Sequence, residues 1–112
     1  MKIPEQGWLL RVFVGESDAW QGRPLYEAIV LKARELHLAG ATALRGMMGF
    51  GANSRLHTAK ILRLSEDLPI VVEIVDGREK IDQLIPFIDE VVGEGLVTLE
   101  PVEVIRYRGK TL

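Results

Sequence analysis

The chain has 112 residues, 47% of them apolar and 27% charged, with a net charge of −2. This length fits a single domain over residues 1–112, and the slight acidity excludes the basic footprint of a general nucleic-acid binder. Cysteine is absent, which excludes disulfide frameworks, thiolate zinc sites and thiol chemistry, and His37 and His57 lack the spacing of a histidine metal motif. No metal ligand set is therefore expected. Residues 1–6 carry no basic leader, and no apolar run approaches the ~20 residues of a membrane span, so a cytoplasmic address is expected.

The run from Gly7 to Gly15 is apolar on both faces and bounded by glycines, the pattern of a central strand. A loop follows, and Pro24 suits the first turn of a helix because its missing N–H has no partner to lose there. Leu25, Ile29, Ala33 and Leu36 then recur at helical spacing, with Gly40 as the expected C-cap. Ala41 to Met48 reads as a second strand, broken from Gly49 to Leu56 before an extended stretch over Thr58 to Leu64. The β-branched run Ile70 to Val75 predicts a strand. Asp76 with Glu79 resembles a capping box that opens a second helix, whose interior Pro86 predicts a kink or break. Gly93 and Gly95 end that helix, and Leu96 to Arg108 supplies a last strand or two, interrupted at Pro101.

The order β-α-β-β-α-β is that of an α+β ferredoxin-like sandwich, an antiparallel sheet with two helices on one face. The other face is left bare. Because the strands are apolar on both sides, that face is expected to be an oligomer interface.

Three fragments could hold an anion. Gly46, Gly49 and Gly51 surround Phe50 and precede Asn53, Ser54 and Arg55, so backbone N–H groups could approach a ligand, although a hairpin needs the same glycines. Gly93, Glu94 and Gly95 form a turn that also serves as a plain helix ending. Arg106 and Arg108 stand two apart on the expected last strand, where two guanidinium forks on one face could grip a polyphosphate. No Walker motif, nucleophile elbow or zinc-protease helix is present.

These stretches resemble the PII-like signalling proteins. Arg23-Pro24-Leu25-Tyr26-Glu27, Leu38-Ala39-Gly40-Ala41-Thr42, Gly49-Phe50-Gly51 and Leu64-Ser65-Glu66-Asp67-Leu68-Pro69 resemble one uncharacterised branch of that superfamily, domain of unknown function family 190. The resemblance implies a homotrimer that binds an adenine nucleotide (ADP, AMP or ATP) in clefts between subunits. Its nucleotide site would comprise Gly49, Phe50 and Gly51, Gly93, Glu94 and Gly95, and Arg106 and Arg108, with the loop around residues 49–58 as the signalling element. Gly49-Phe50-Gly51 and His57-Thr58 match the two sides of the PII flexible loop. Gly93-Glu94-Gly95-Leu96 matches the PII phosphate turn with leucine in place of lysine, which puts ADP or AMP on a par with ATP. No tyrosine lies between Gly49 and Leu64 to serve as a uridylylation site. A membrane transporter or channel, or an enzyme, is the implied target.

Two other readings share the fold: a small phosphate-handling hydrolase with His57 as base, and a metal-tolerance-like trimer using histidine and carboxylates.

Overall fold

The computed structural model describes residues 5–50, 57–58 and 67–109. In chain order the elements are β1 (Gln6–Gly15), β2 (Ala19–Trp20), β3 (Arg23–Pro24), α1 (Leu25–Glu35) and β4 (Thr42–Arg45), then β5 (Met48–Gly49), β6 (His57–Thr58), β7 (Pro69–Asp76), α2 (Arg78–Val91) and β8 (Leu96–Glu103). Four strands form the main sheet in the order β4-β7-β1-β8, every pair antiparallel. Two short ribbons, β2 with β3 and β5 with β6, flank it. Both helices pack on one face, so the expected ferredoxin-like α+β sandwich is the architecture that forms.

The period-two alternation of a strand separates its two faces. In β1, Leu10, Val12 and Val14 are buried against the helices, as are Ile70, Val72 and Ile74 in β7. From α2, Ile81, Leu84, Ile88 and Val91 descend at three- and four-residue spacing to meet them, while α1 contributes Leu25, Ala28, Ile29 and Ala33. Each fully buried leucine or isoleucine here contributes about 2 kcal/mol of apolar transfer energy, which makes this layer the main stabiliser of the fold. The helix pair is trimmed at its outer edge by the Trp20 and Phe87 rings, whose centroids lie 5.2 Å apart edge to face.

Four local expectations are corrected. Pro86 does not break α2, which runs unbroken from Arg78 to Val91. Pro86 lies on the exposed side of the helix, where the carbonyl that lost its partner can take water. Gly40 is not the cap of α1: the helix ends at Glu35, Leu36 caps it, and His37 adopts the left-handed conformation with φ 61°. Asp76 and Glu79 form no capping box, since Gly77 is the N-cap and α2 has no side-chain cap. Finally, β8 continues through Pro101, which an edge strand tolerates because its outer side has no ladder to complete. The extended stretch expected over Thr58 to Leu64 lies, beyond Thr58, outside the described residues.

Candidate functional site

The strand registers sort the sequence-derived site residues into two groups. At one end of the sheet, Phe13 pairs with Leu96 at the start of β8, Gly15 pairs with Pro69 at the start of β7, and β4 finishes at Arg45. Gly93, Glu94 and Gly95 immediately precede β8 at this end, all three exposed. Gly95 has φ +153°, and an added Cβ there would run into the Phe13 carbonyl oxygen, so this turn admits glycine alone.

Gly49 and Phe50 lie at the same end. Gly46 donates its N–H to the Pro69 carbonyl at 2.7 Å, and added Cβ atoms at Gly46 and Gly49 would lie 2.8 and 3.1 Å from the Pro69 ring. These glycines thus let β4 and β5 cross tightly over Pro69, a structural task independent of any ligand. Phe50, Met47 and Met48 are left 70%, 76% and 54% exposed, a large apolar commitment that nothing among the described residues covers. Gly51, Asn53, Ser54 and Arg55 lie outside the described residues.

The nearby loop after β1 carries backbone N–H groups, but they are already engaged. Gly15 donates to Asp18 Oδ2 at 2.9 Å, Glu16 to the Leu68 carbonyl at 2.8 Å, and Ser17 to Asp67 Oδ1 at 2.7 Å. The Ser-Glu-Asp-Leu-Pro stretch that the sequence singled out therefore owes Asp67, Leu68 and Pro69 to bracing this end of the sheet. Glu16 also pairs with Arg45 at 3.1 Å.

Arg106 and Arg108 are at the other end. The expectation that they share a strand face is corrected, because β8 ends at Glu103 and residues 104–109 have no regular structure. β8 runs 8 residues at about 3.3 Å each, which puts the arginines about 25 Å from the glycine turn that precedes the same strand. One chain therefore gathers the glycine turns but not the arginines. Both arginines are exposed, and among the described residues neither forms an ion pair.

Between the two ends lies the open face of the sheet. Cross-strand partners share a face, so Leu9, Arg11 and Phe13 of β1 stand with Val71, Glu73 and Val75 of β7, with Leu44 of β4 and with Leu96, Thr98, Glu100 and Val102 of β8. At its centre Arg11 Nε donates to Glu73 Oε2 at 2.8 Å and Arg11 Nη1 to Glu100 Oε1 at 3.0 Å. The Glu73 hydrogen bond, joined by the charges of Glu73 and Glu100, outweighs desolvation and raises the Arg11 pKa above its already high value, so the guanidinium stays charged.

The arginine end is organised by Asp76, which the sequence offered only as a helix cap, and by Tyr107, which it did not single out. Asp76, 2% exposed, accepts the Gly77 N–H on Oδ1 at 2.6 Å and the Ala39 N–H on Oδ2 at 2.9 Å, which ties the start of α2 to the segment before β4. Tyr107 donates its hydroxyl to the Ala39 carbonyl at 2.7 Å. A cavity of about 610 Å³ opens beside them, with Leu9, Glu73 and Val75 as floor and the tail residues Ile105, Arg106 and Tyr107 along one wall. Among the described residues no cluster of three or more histidines and carboxylates could hold a metal, and no helix is long and apolar enough to cross a membrane.

Comparison with known proteins agrees with this architecture. A UPF0166 protein of Aquifex aeolicus is 41% identical over 99 residues, covering 87% of this chain and 91% of its own length. A UPF0166 protein of Methanocaldococcus jannaschii is 31% identical over 104 residues, covering 92% and 94%. Among solved structures, CPII from Thiomonas intermedia K12, bound to ADP and bicarbonate, superposes with a TM-score of 0.62 at 14% identity over 90% of each chain. The GlnK–ATP complex of B. subtilis superposes with a TM-score of 0.57 at 16% identity, covering 90% of this chain and 85% of its own. The family model DUF190, "Uncharacterized ACR", matches residues 7–104, and the chain accordingly belongs to the DUF190 (UPF0166) family, an uncharacterised branch with the PII-like fold.

Proposed function

We propose that this protein is a PII-like regulator that binds an adenine nucleotide between the copies of a homotrimer and signals through the loop around residues 49–58. The observation that carries this reading is the separation along one sheet of the fragments that could hold an anion. Gly49, Phe50 and the Gly93–Gly95 turn occupy one end, and Arg106 and Arg108 the other, about 25 Å away by strand length. A second copy whose tail reaches the first copy's glycine end closes the site, and the open sheet face supplies the surface on which copies meet. Desolvation between subunits then strengthens each guanidinium–phosphate bond.

The ligand class follows from the named complexes of the fold relatives: CPII is described with ADP, AMP and bicarbonate, and GlnK with ATP. In this chain Leu96 follows the glycine turn, 56% exposed, in the place where the PII resemblance expects lysine. Without that cation ADP or AMP stands on a par with the more highly charged ATP. A nucleotide that binds two states of the protein unequally shifts their populations, and a membrane transporter, channel or enzyme reads the result. The protein on this reading is not itself an enzyme.

Titration of the purified protein with AMP, ADP, ATP and GTP, followed by calorimetry and melting temperature with phosphate release measured in parallel, tests this reading. Saturable, adenine-selective binding without turnover is expected, and ligand at a hundred times its Kd stabilises the fold by about 2.7 kcal/mol. Absence of any nucleotide effect overturns the reading. Phosphate release that disappears in His57→Ala replaces it with a hydrolase.

A further inference from the structure

We infer that Tyr107 is a positioning residue that holds Arg106 and Arg108 in place for the phosphates, an inference that rests on the nucleotide reading above. The tail leaves the sheet at Glu103, and Val104 still donates its N–H to the Glu5 carbonyl at 2.7 Å. An added Cβ at Gly7 would lie 2.9 Å from Val104 Cγ2, so the glycine makes room for this side chain. From there the chain has no ladder to follow. Ile105 is 85% exposed, and the next bond into the body of the protein is the Tyr107 hydroxyl on the Ala39 carbonyl.

Ala39 is a fixed point. Its N–H is held by buried Asp76, which also holds Gly77 at the start of α2. Three residues earlier, the Leu36 carbonyl accepts from Lys80 Nζ at 3.3 Å, a second tie to α2. Ala39 precedes β4, which lies at the opposite edge of the sheet from β8. Three strand spacings span about 14 Å, close to the greatest reach of four extended residues. The tail thus bridges from one edge of the sheet to the other, and Tyr107 fastens its far end.

The position of this fastening gives it a consequence for binding. Tyr107 is flanked on both sides by the arginines, so one hydroxyl restricts the backbone that carries both guanidinium groups. Without it the tail near the chain end is free to explore many conformations, and the entropy of ordering it falls on nucleotide binding. The Asp76–Ala39–Tyr107 chain further connects this end to α2, whose other end leads directly into the Gly93–Gly95 turn.

Tyr107→Phe keeps the ring and removes the hydroxyl. Three measurements are made on it: trypsin cleavage after Arg106 and Arg108 in the nucleotide-free protein, melting temperature, and ADP affinity by calorimetry. The expected result is several-fold faster cleavage, a melting temperature close to the parent's, and ADP binding weakened about fivefold, the scale of one lost hydrogen bond. In protein already carrying Arg106→Ala and Arg108→Ala, Tyr107→Phe is expected to cost no further ADP affinity. Unchanged ADP affinity in Tyr107→Phe, beside a parent that binds ADP, overturns the inference and leaves the nucleotide reading standing. An equal loss in the background lacking Arg106 and Arg108 also overturns it, by assigning the effect to general structure. A parent protein that binds no adenine nucleotide removes both.

Discussion

Val12 and Phe13 are neighbours in β1 with opposite surroundings. Val12 faces the helices and is fully buried, whereas Phe13 stands on the open face, only partly covered. The same contrast runs through β7, where buried and half-buried residues alternate over the whole strand. The helix-covered face is complete within one chain: its leucines, isoleucines and valines fill the space between sheet and helices, and its buried carboxylate has both oxygens engaged. The open face has apolar side chains of similar size around a charged centre, but among the described residues no helix layer lies above them. Among the described residues, one side of the sheet is finished by the chain itself and the other is left open.

Aspartate at each of the two positions breaks this comparison most sharply. Val12→Asp places a carboxylate in the core without a partner, and loss of cooperative folding, by circular dichroism and urea denaturation, is expected. Phe13→Asp should retain the far-ultraviolet spectrum and a cooperative melt while light scattering reports dissociation to monomer. If both variants unfold, or if both stay assembled, the two faces are not divided in this way.

Next in size is Gly95→Ala. It combines left-handed strain with a clash against the Phe13 carbonyl, at a cost of about 2–3 kcal/mol in urea denaturation. Asp76→Ala strips the acceptor from the Ala39 and Gly77 N–H groups and is expected to cost about 1–3 kcal/mol, again by denaturant midpoint. The smallest effect is Arg78→Gln. It removes a guanidinium lying 4.9 Å from the Trp8 ring centroid and a surface pair with Asp82, together about 0.5–1 kcal/mol.

The parts of the fold legible in the sequence are those whose signal is local and repeated. β1 and β7 announce themselves by apolar runs bounded by glycine or proline, and α2 by the spacing of Ile81, Leu84, Ile88 and Val91. Where the sequence misleads, exposure or tertiary bonding decides. Pro86 sits on the wet side of its helix, so water can compensate for the lost hydrogen bond. Asp76 looks like a cap but is drawn into the protein to bind Ala39. Pro101 lies on an edge strand, a placement that depends on strand order and is invisible in a local window. The candidate site was legible as three fragments, because glycine clusters and an Arg-x-Arg pair are visible as residue types. Their distance apart was not, since it depends on register and on β8 ending at Glu103. Tyr107 was hidden for the same reason: its partner is Ala39, 68 residues away along the chain.

On the reading proposed above, the nucleotide site is shared between copies that meet on the open face. The most direct measurement is ADP calorimetry on the parent protein and on Phe13→Asp, with mass by light scattering on the same samples. The parent is expected to be a trimer binding one ADP per chain, and folded, monomeric Phe13→Asp to lose nearly all affinity. A folded monomer that binds ADP as tightly as the parent would contradict it, because one chain would then hold the whole site.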